Sequence, residues 1–293
     1  IVWRTLYMLH YLDALLVKNP LDSRLYSDAV GACFTLGLSE RCLVYLSRWA
    51  EHFPHDPQYI GILQQLGSTE ALLAADYRTL GLKQRANRFF ELAEQDLLKA
   101  ASVKPSPTNY MLLGEMKLGQ GDVDAAIAYL QQGLAADPTP REEAQVEYDL
   151  ANIDMQLKKP EEALRHFQRV EMLDPSIKNL WIRMGQAHRE LKDVASAERY
   201  LTRALEEDPQ ELAPYVSLAA LYAGNNDLAR SRKLVDEGLR LHPDSVHLRA
   251  LLASLLYDQG ETRRAEAELR LAEQLDPDYP LVKALRDVMS KAR

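Results

Sequence analysis

The sequence predicts an all-α fold, an α-solenoid of antiparallel helix pairs, and two observations support this prediction. Prolines recur along the second half of the chain, and the last four are separated by three intervals of 34 residues each. Small residues recur at two fixed places within each interval. A unit of this length and pattern accommodates two helices and the turn between them. The recurring prolines are Pro138, Pro175, Pro209, Pro243 and Pro277.

The composition is typical of a folded protein rather than a disordered or fibrous one. Of the 293 residues, 47% are hydrophobic and 27% are charged, which is enough apolar material for a core. The formal net charge of -8 and the lack of a long basic run argue against nucleic-acid or anionic-membrane binding. No uncharged apolar stretch of about 18 residues occurs, so we expect no membrane insertion within these residues.

The chain begins with a predicted amphipathic helix over residues 2–18. Charged residues interrupt it, which excludes the apolar core of a signal peptide. Because the first residue is Ile1 rather than Met, we expect a longer protein. The helix carries more apolar surface than a terminal helix needs, so we expect upstream residues or another chain to cover it. The apolar residues concerned are Trp3, Leu6, Tyr7 and Leu9.

The first complete helix pair is predicted between Pro20 and Pro54, which are again 34 residues apart. Gly37 occupies its turn. Cys42 occupies one of its two small positions, and Val30 replaces a small residue at the other.

The next interval is irregular, because Pro54 and Pro105 are 51 residues apart. The residues at 79–82 repeat the Thr-Leu-Gly-Leu of residues 35–38, which aligns the turns and leaves a surplus of 17 residues. We expect about ten residues, 58–67, to be inserted before the first helix, with Ser68 or Thr69 as its N-cap. We expect the second helix to run seven residues longer, to about Val103, and this irregularity to change the direction of the array.

Five regular helix pairs follow over residues 106–277. Two helices approach closely only where neither carries a bulky side chain, so the small residues mark the crossing of each pair. Glycine, Asn and Lys at the turns suggest left-handed backbone at the end of each first helix. The crossing residues are Gly114, Ala151, Gly185, Ala219 and Ala253 with Ala126, Ala163, Ala197, Ser231 and Ala265, and the turn residues are Gly121, Lys158, Lys192, Asn226 and Gly260.

A final helix is predicted from about Pro280 to Lys291, with Leu281, Leu285 and Val288 on its apolar face. It would cap the last helix pair, as the ends of repeat arrays require, which favours a natural end of the protein there. The sequence thus divides into an N-terminal segment of one helix and one pair (1–57), an irregular pair (58–105), five regular pairs (106–277) and a cap (278–293).

This pattern resembles the tetratricopeptide repeat family, whose 34-residue unit has an early aromatic residue, a Leu-Gly pair and a late Ala, Phe, Ala, Pro series. The resemblance covers most of the chain and implies a right-handed superhelix of about seven units. The clearest copy carries Trp181, Met184, Gly185, Ala197, Leu201, Ala204 and Pro209.

The resemblance also implies a function, because this family binds protein or peptide partners in a concave groove lined by the first helix of each pair. Amide side chains in such a groove can bond a peptide backbone, and apolar ones can contact side chains. At the corresponding positions the central array has Met111, Glu115, Gln145, Tyr148, Asn152, Met155, Asn179, Ile182, Gln186 and Arg189.

Members that act as heat-shock co-chaperones grip a terminal carboxylate with Lys, Asn and Arg at fixed groove positions. No window of this sequence fits that pattern. The nearest one contains Glu115 and Asp149, whose negative charges would repel such a ligand. We therefore expect a different kind of partner.

Catalytic and metal-binding motifs are not evident, so we expect no enzymatic activity and no cofactor. His52, His55 and Asp56 lie at a repeat boundary, where polar turn residues are common, and no further ligand completes a metal site. Cys33 and Cys42 fall at core positions and are interpreted as buried thiols, although a disulfide stays open for an exported protein.

Three functions remain open. The first is a scaffold that holds peptide segments or subunits of a larger assembly. The second is the substrate-recruiting arm of a larger enzyme such as a glycosyltransferase. The third is a periplasmic or membrane-tethered scaffold of a bacterial export or envelope-assembly system. We favour a cytoplasmic location, and a periplasmic or membrane-tethered one stays open.

Overall fold

The computed structural model describes residues 2–291, and this range contains sixteen α-helices and no strand. The helices follow one another as a leading helix, seven successive pairs and a final helix, which confirms the predicted all-α fold. Contacts divide the chain into two compact units, Ile1–Ile153 and Asp154–Arg293.

The first unit begins with the leading helix and holds three complete pairs. Its helices are α1 (Val2–Lys18), α2 (Ser23–Leu36), α3 (Ser39–His52), α4 (Tyr59–Thr79), α5 (Lys83–Val103), α6 (Pro107–Gln120), α7 (Val123–Leu134) and most of α8 (Pro140–Gln156). The second unit contains α9 (Pro160–Leu173), α10 (Leu180–Glu190), α11 (Val194–Glu207), α12 (Leu212–Gly224), α13 (Leu228–Leu241), α14 (Val246–Asp258), α15 (Thr262–Leu275) and α16 (Pro280–Lys291).

The predicted crossing residues are all buried. A Cβ added to Gly185 would lie 2.5 Å from Leu201 Cγ, so α10 and α11 are in direct contact there. In the next pair the Ser231 hydroxyl donates a 2.8 Å hydrogen bond to the Ala219 carbonyl. Serine is therefore tolerated at a small position because the facing helix supplies its acceptor.

The predicted turn residues all adopt left-handed backbone. Lys158, Lys192 and Asn226 have φ of 59°, 61° and 60°, and Gly121 and Gly260 have φ of 87° and 79°. The backbone of each residue thus ends the first helix of its pair and reverses the chain.

The irregular pair corrects one prediction. Residues 58–67 are not inserted before the first helix; nearly all of them extend it, because α4 begins at Tyr59. Ser68 and Thr69 therefore lie inside α4 and are not N-caps, and the Thr69 hydroxyl donates to the Gln65 carbonyl at 2.7 Å. The second helix, α5, ends at Val103 as predicted.

A second crossing explains how both long helices stay packed. A Cβ on Gly67 would lie 2.6 Å from Leu97 Cγ and 3.1 Å from the Ala93 carbonyl oxygen. Gly67 lies seven residues before Ala74, and Ala93 lies seven residues after Ala86; Ala74 and Ala86 are the small residues of the usual crossing. The extension therefore repeats the packing of a regular pair two turns further along.

The two terminal helices differ in detail from the predictions. In α1, Leu9 is fully buried against the rest of the first unit and needs no other cover, whereas Trp3 and Tyr7 are 83% and 78% exposed. The expectation that upstream residues or another chain cover these two side chains stays a prediction. In α16 the buried face consists of Val282, Leu285 and Met289 rather than Leu281, Leu285 and Val288. Both sets of residues have helical spacing. Packing against α14 and α15 buries the set of Val282, Leu285 and Met289.

The side chain of Asp13 attaches α1 to α3. Its carboxylate accepts hydrogen bonds from the Arg41 guanidinium and the Tyr45 hydroxyl. We expect Asp13→Ala to raise amide hydrogen exchange in α1 by about tenfold, because local opening becomes easier. Asp28→Ala, an exposed position on α2, is the matched control. Unchanged exchange in α1 of the Asp13 variant would show that apolar packing alone holds the helix.

Candidate functional site

A cleft of about 260 Å³ lies between α4 and α6 in the first unit. The extended α4 supplies one wall and α6 the other, while α5 contributes a single aromatic ring. The lining residues are Ser68, Ala71, Leu72, Ala75, Phe90, Leu112, Glu115, Met116 and Gly119.

Hydrogen bonds between α4 and the ends of α6 fix the two walls. At the start of α6, the Gln64 amide donates to Asn109 Oδ1 at 2.6 Å, and Asn109 in turn donates to the Lys104 carbonyl. At its end, Arg78 donates to the Gly119 carbonyl at 2.7 Å. The cleft is therefore preformed in the protein.

Most of the cleft surface is apolar. Phe90 and Met116 are each 2% exposed and line its inner part, whereas Leu72 is 66% exposed. Ala71, Ala75 and Gly119 present little bulk. A ligand chain could therefore come close to the helix backbones and cover Leu72, and burial of that side chain would favour binding.

Two carboxyl groups in the first unit, those of Glu115 and Asp149, are close enough to interact electrostatically. Glu115 lines the cleft and remains accessible to solvent. Partial desolvation of its carboxyl group by the surrounding protein raises its pKa. Burial, and then the charge of Glu115, raise the pKa of Asp149 to about 7. The Gln145 amide donates to Asp149 Oδ1 at 3.2 Å, while Oδ2 is buried without a hydrogen-bond partner.

The first unit places five of the predicted groove residues. Glu115 and Gln145 both adjoin Asp149, so the structure brings these two together. Met111 is half-buried and packs on the core formed with α7 and α8. Tyr148 and Asn152 are half-buried on α8, where the Asn152 amide donates to the Tyr148 carbonyl at 2.9 Å. This internal bond occupies one of the two Asn152 amide donors.

The second unit places the other five. Asn179 and Ile182 line a cleft of about 230 Å³, although Ile182 is only 6% exposed. Gln186 accepts a hydrogen bond from Arg183, and Arg189 lies 3.7 Å from the Glu190 carboxylate. Met155 is half-buried near the end of α8.

Some of the polar groups at this second cleft already pair with one another. Trp181 donates to the Glu207 carboxylate at 2.8 Å, and the Arg203 guanidinium lies 3.6 Å from the centre of the Trp181 ring. Arg203 also contacts Glu207 at 3.4 Å. The first cleft therefore offers more to a ligand, because its lining carboxyl group, Glu115, lacks a cationic partner in the described part of the chain.

The groove prediction missed the α4 wall of the first cleft. It considered only the middle of the array, although the alignment at Gly81 would have placed Ser68, Ala71 and Ala75 at groove positions. The alignment could not have predicted the exposure of Leu72, because that exposure depends on the spacing between α4 and α6.

Within residues 2–291, no three His, Cys, Asp or Glu side chains are grouped so that they could hold a metal ion. Cys33 and Cys42 are fully buried and unbonded, as predicted. None of the described helices combines the length and the hydropathy needed to cross a membrane.

Comparison with known proteins agrees with this architecture. Residues 117–180, 188–245 and 222–287 match one tetratricopeptide repeat profile, and residues 78–139 match another. The fold and these matches define a helical-repeat protein. The chain belongs to the tetratricopeptide repeat family, since one profile alone matches more than half of it.

Among individual relatives, the DnaJ homolog subfamily C member 7 homolog of Schizosaccharomyces pombe is 27% identical over 147 residues, or 45% of this chain. The matched region spans 31% of that protein. A tetratricopeptide repeat protein from Parabacteroides merdae superposes with a TM-score of 0.65 at 16% identity, covering 92% of this chain and 98% of its own.

A third similar protein is PilW, described as a type IV pilus biogenesis factor. It has a TM-score of 0.58 at 16% identity and covers 75% of this chain and 98% of its own. At these identities the structural likeness shows the fold alone.

Proposed function

We propose that the chain is a non-catalytic scaffold that binds a polypeptide segment of a partner protein in the cleft between α4 and α6. The observation that carries this proposal is the combination of a preformed apolar cleft with a leucine, Leu72, that is 66% exposed at its wall. An exposed apolar side chain beside small residues is the arrangement that recognises a peptide side chain. Family membership supports the same role, since tetratricopeptide repeats bind proteins.

The proposed site is the first-unit part of the predicted groove, extended onto α4. Tyr148 and Asn152 lie on α8, and we expect a longer segment to contact them beyond the cleft. In this role the protein holds a segment of one component in place within a larger assembly.

The experiment is selection of peptides from a random display library on the purified chain, followed by affinity measurement with labelled synthetic copies. We expect Leu72→Asp to weaken binding at least tenfold, because it places a charge where an apolar contact was buried. Leu98→Asp is the matched control, since Leu98 is also exposed, at 42%, but lies on α5 outside the cleft.

The affinity of the same peptides for the double variant Tyr148→Ala with Asn152→Ala tests whether a bound peptide also contacts α8 beyond the cleft. If the selected peptides bind the Leu72 variant and the wild-type chain equally well, the cleft is not the binding site. If no peptide is selected, the proposal fails as a whole.

A further inference from the structure

We propose that the cleft between α4 and α6 selects segments in which an apolar residue is followed or preceded closely by Lys or Arg, whose cationic group pairs with Glu115 and Asp149. This inference rests on the proposed function and adds the chemistry of the segment that the cleft accepts.

Neither of the two carboxyl groups, Glu115 and Asp149, has a cationic partner within residues 2–291. Asp149 Oδ2 is buried and accepts no hydrogen bond, and burial together with the nearby Glu115 disfavours the ionised form of Asp149. No Lys, Arg or His within the described residues pairs with either group. A cation beside Glu115 and Asp149 would replace the repulsion between the two carboxyl groups with attraction.

The two carboxyl groups lie where a bound segment could reach them. Glu115 lines the apolar cleft and also interacts electrostatically with Asp149, so the acidic pair begins at the wall of the cleft. A segment that places an apolar side chain beside Leu72 would carry its next residues toward the carboxyl groups. Gln145 acts as a positioning residue, because its bond to Oδ1 holds the Asp149 carboxyl group in place.

The two carboxyl groups suit the cationic side chain of a peptide better than a metal ion. A divalent metal prefers six or more oxygen ligands, or at least several protein ligands, and two carboxylates do not provide them. A guanidinium or ammonium group on a peptide needs fewer, and an Arg fork can bond two carboxylates at once. A free C-terminal carboxylate, in contrast, would be repelled.

The test uses the peptides selected on the wild-type chain. We expect them to be enriched in Lys or Arg within about three residues of an apolar residue. The tightest binder is then resynthesised with citrulline in place of Arg, or norleucine in place of Lys, and its affinity is measured for the wild type and for Glu115→Gln combined with Asp149→Asn.

Wild type is expected to prefer the basic peptide by about tenfold or more, and the double variant is expected to lose that preference while still binding the neutral peptide. Glu91→Gln, which removes the charge of an exposed glutamate on α5 outside the cleft, serves as the control. Selected peptides without basic residues, or an unchanged preference in the double variant, would overturn the inference. Peptides that depend on Leu72 but ignore both carboxyl groups would overturn only this inference and leave the proposed function standing.

Discussion

Gly67→Ala is expected to destabilise the protein by about 2 kcal/mol, because the extended pair has no room for a side chain at its second crossing. The new Cβ would lie 2.6 Å from Leu97 Cγ and 3.1 Å from the Ala93 carbonyl oxygen. Leu97 is fully buried and cannot turn away into solvent. The clash should outweigh the gain of about 1 kcal/mol that alanine ordinarily brings to a helix interior.

Gly61→Ala provides the matched control, since Gly61 lies in the same helix six residues earlier. A Cβ there meets no atom within 4 Å. This variant should be stabilised, by up to about 1 kcal/mol. Urea unfolding of both variants measures the difference. If the two substitutions change the free energy of unfolding alike, α4 and α5 do not pack closely at Gly67.

The same glycine shows why the sequence predicted the regular pairs better than the irregular one. In the regular pairs, small residues, turn residues and prolines repeat at fixed spacing, so each position is supported by four others. Gly67 has no counterpart in those pairs, and a glycine after a proline-bounded turn suggests loop rather than helix interior. Only the contact with Ala93 and Leu97 shows that it continues the crossing.

The candidate site was predictable to a similar extent. Repeat position predicted Glu115 and Gln145 as groove residues, because the direction of a helical side chain follows from its position in the unit. Burial of Asp149 Oδ2 and exposure of Leu72 were not predictable, since both depend on the distance between neighbouring helices. The C-terminal helix illustrates the same limit: its bounds followed from Pro280 and Lys291, but its buried face was set by the helices it packs on.

A buried carboxyl pair also distinguishes the extended hairpin from the regular pairs. Glu70 occupies the position that Trp181 has in its own pair, and Asp96 occupies that of Glu207. In the regular pair the tryptophan donates to the glutamate at 2.8 Å. In the extended pair, Glu70 is 5% exposed, and its Oε2 has no hydrogen-bond partner. Burial, and then the neighbouring Asp96, raise the pKa of Glu70 to about 8.

This pair makes stability depend on pH. A carboxyl whose folded-state pKa is raised favours folding when it is protonated, so its contribution is complete below pH of about 4.5 and is lost as the pH rises through about 8. The pKa of Asp96 is also raised, chiefly by burial, and the charge of Lys99 opposes that rise. Above pH 8, according to this account, the folded protein holds an ionised Glu70 beside a second carboxyl group.

Glu70→Gln should therefore stabilise the protein at pH 9 by about 3 kcal/mol and change its stability little at pH 5. The amide keeps the shape of the protonated carboxyl, carries no charge and can donate to Asp96. Urea unfolding of wild type and variant from pH 5 to 9 measures the difference, in which the titration of other groups cancels. Glu91→Gln, at an exposed position on α5, should show no such trend. A constant difference between wild type and Glu70→Gln across this range would mean that Glu70 is not desolvated in the folded protein, and the extended hairpin would then be open to water where the structure closes it.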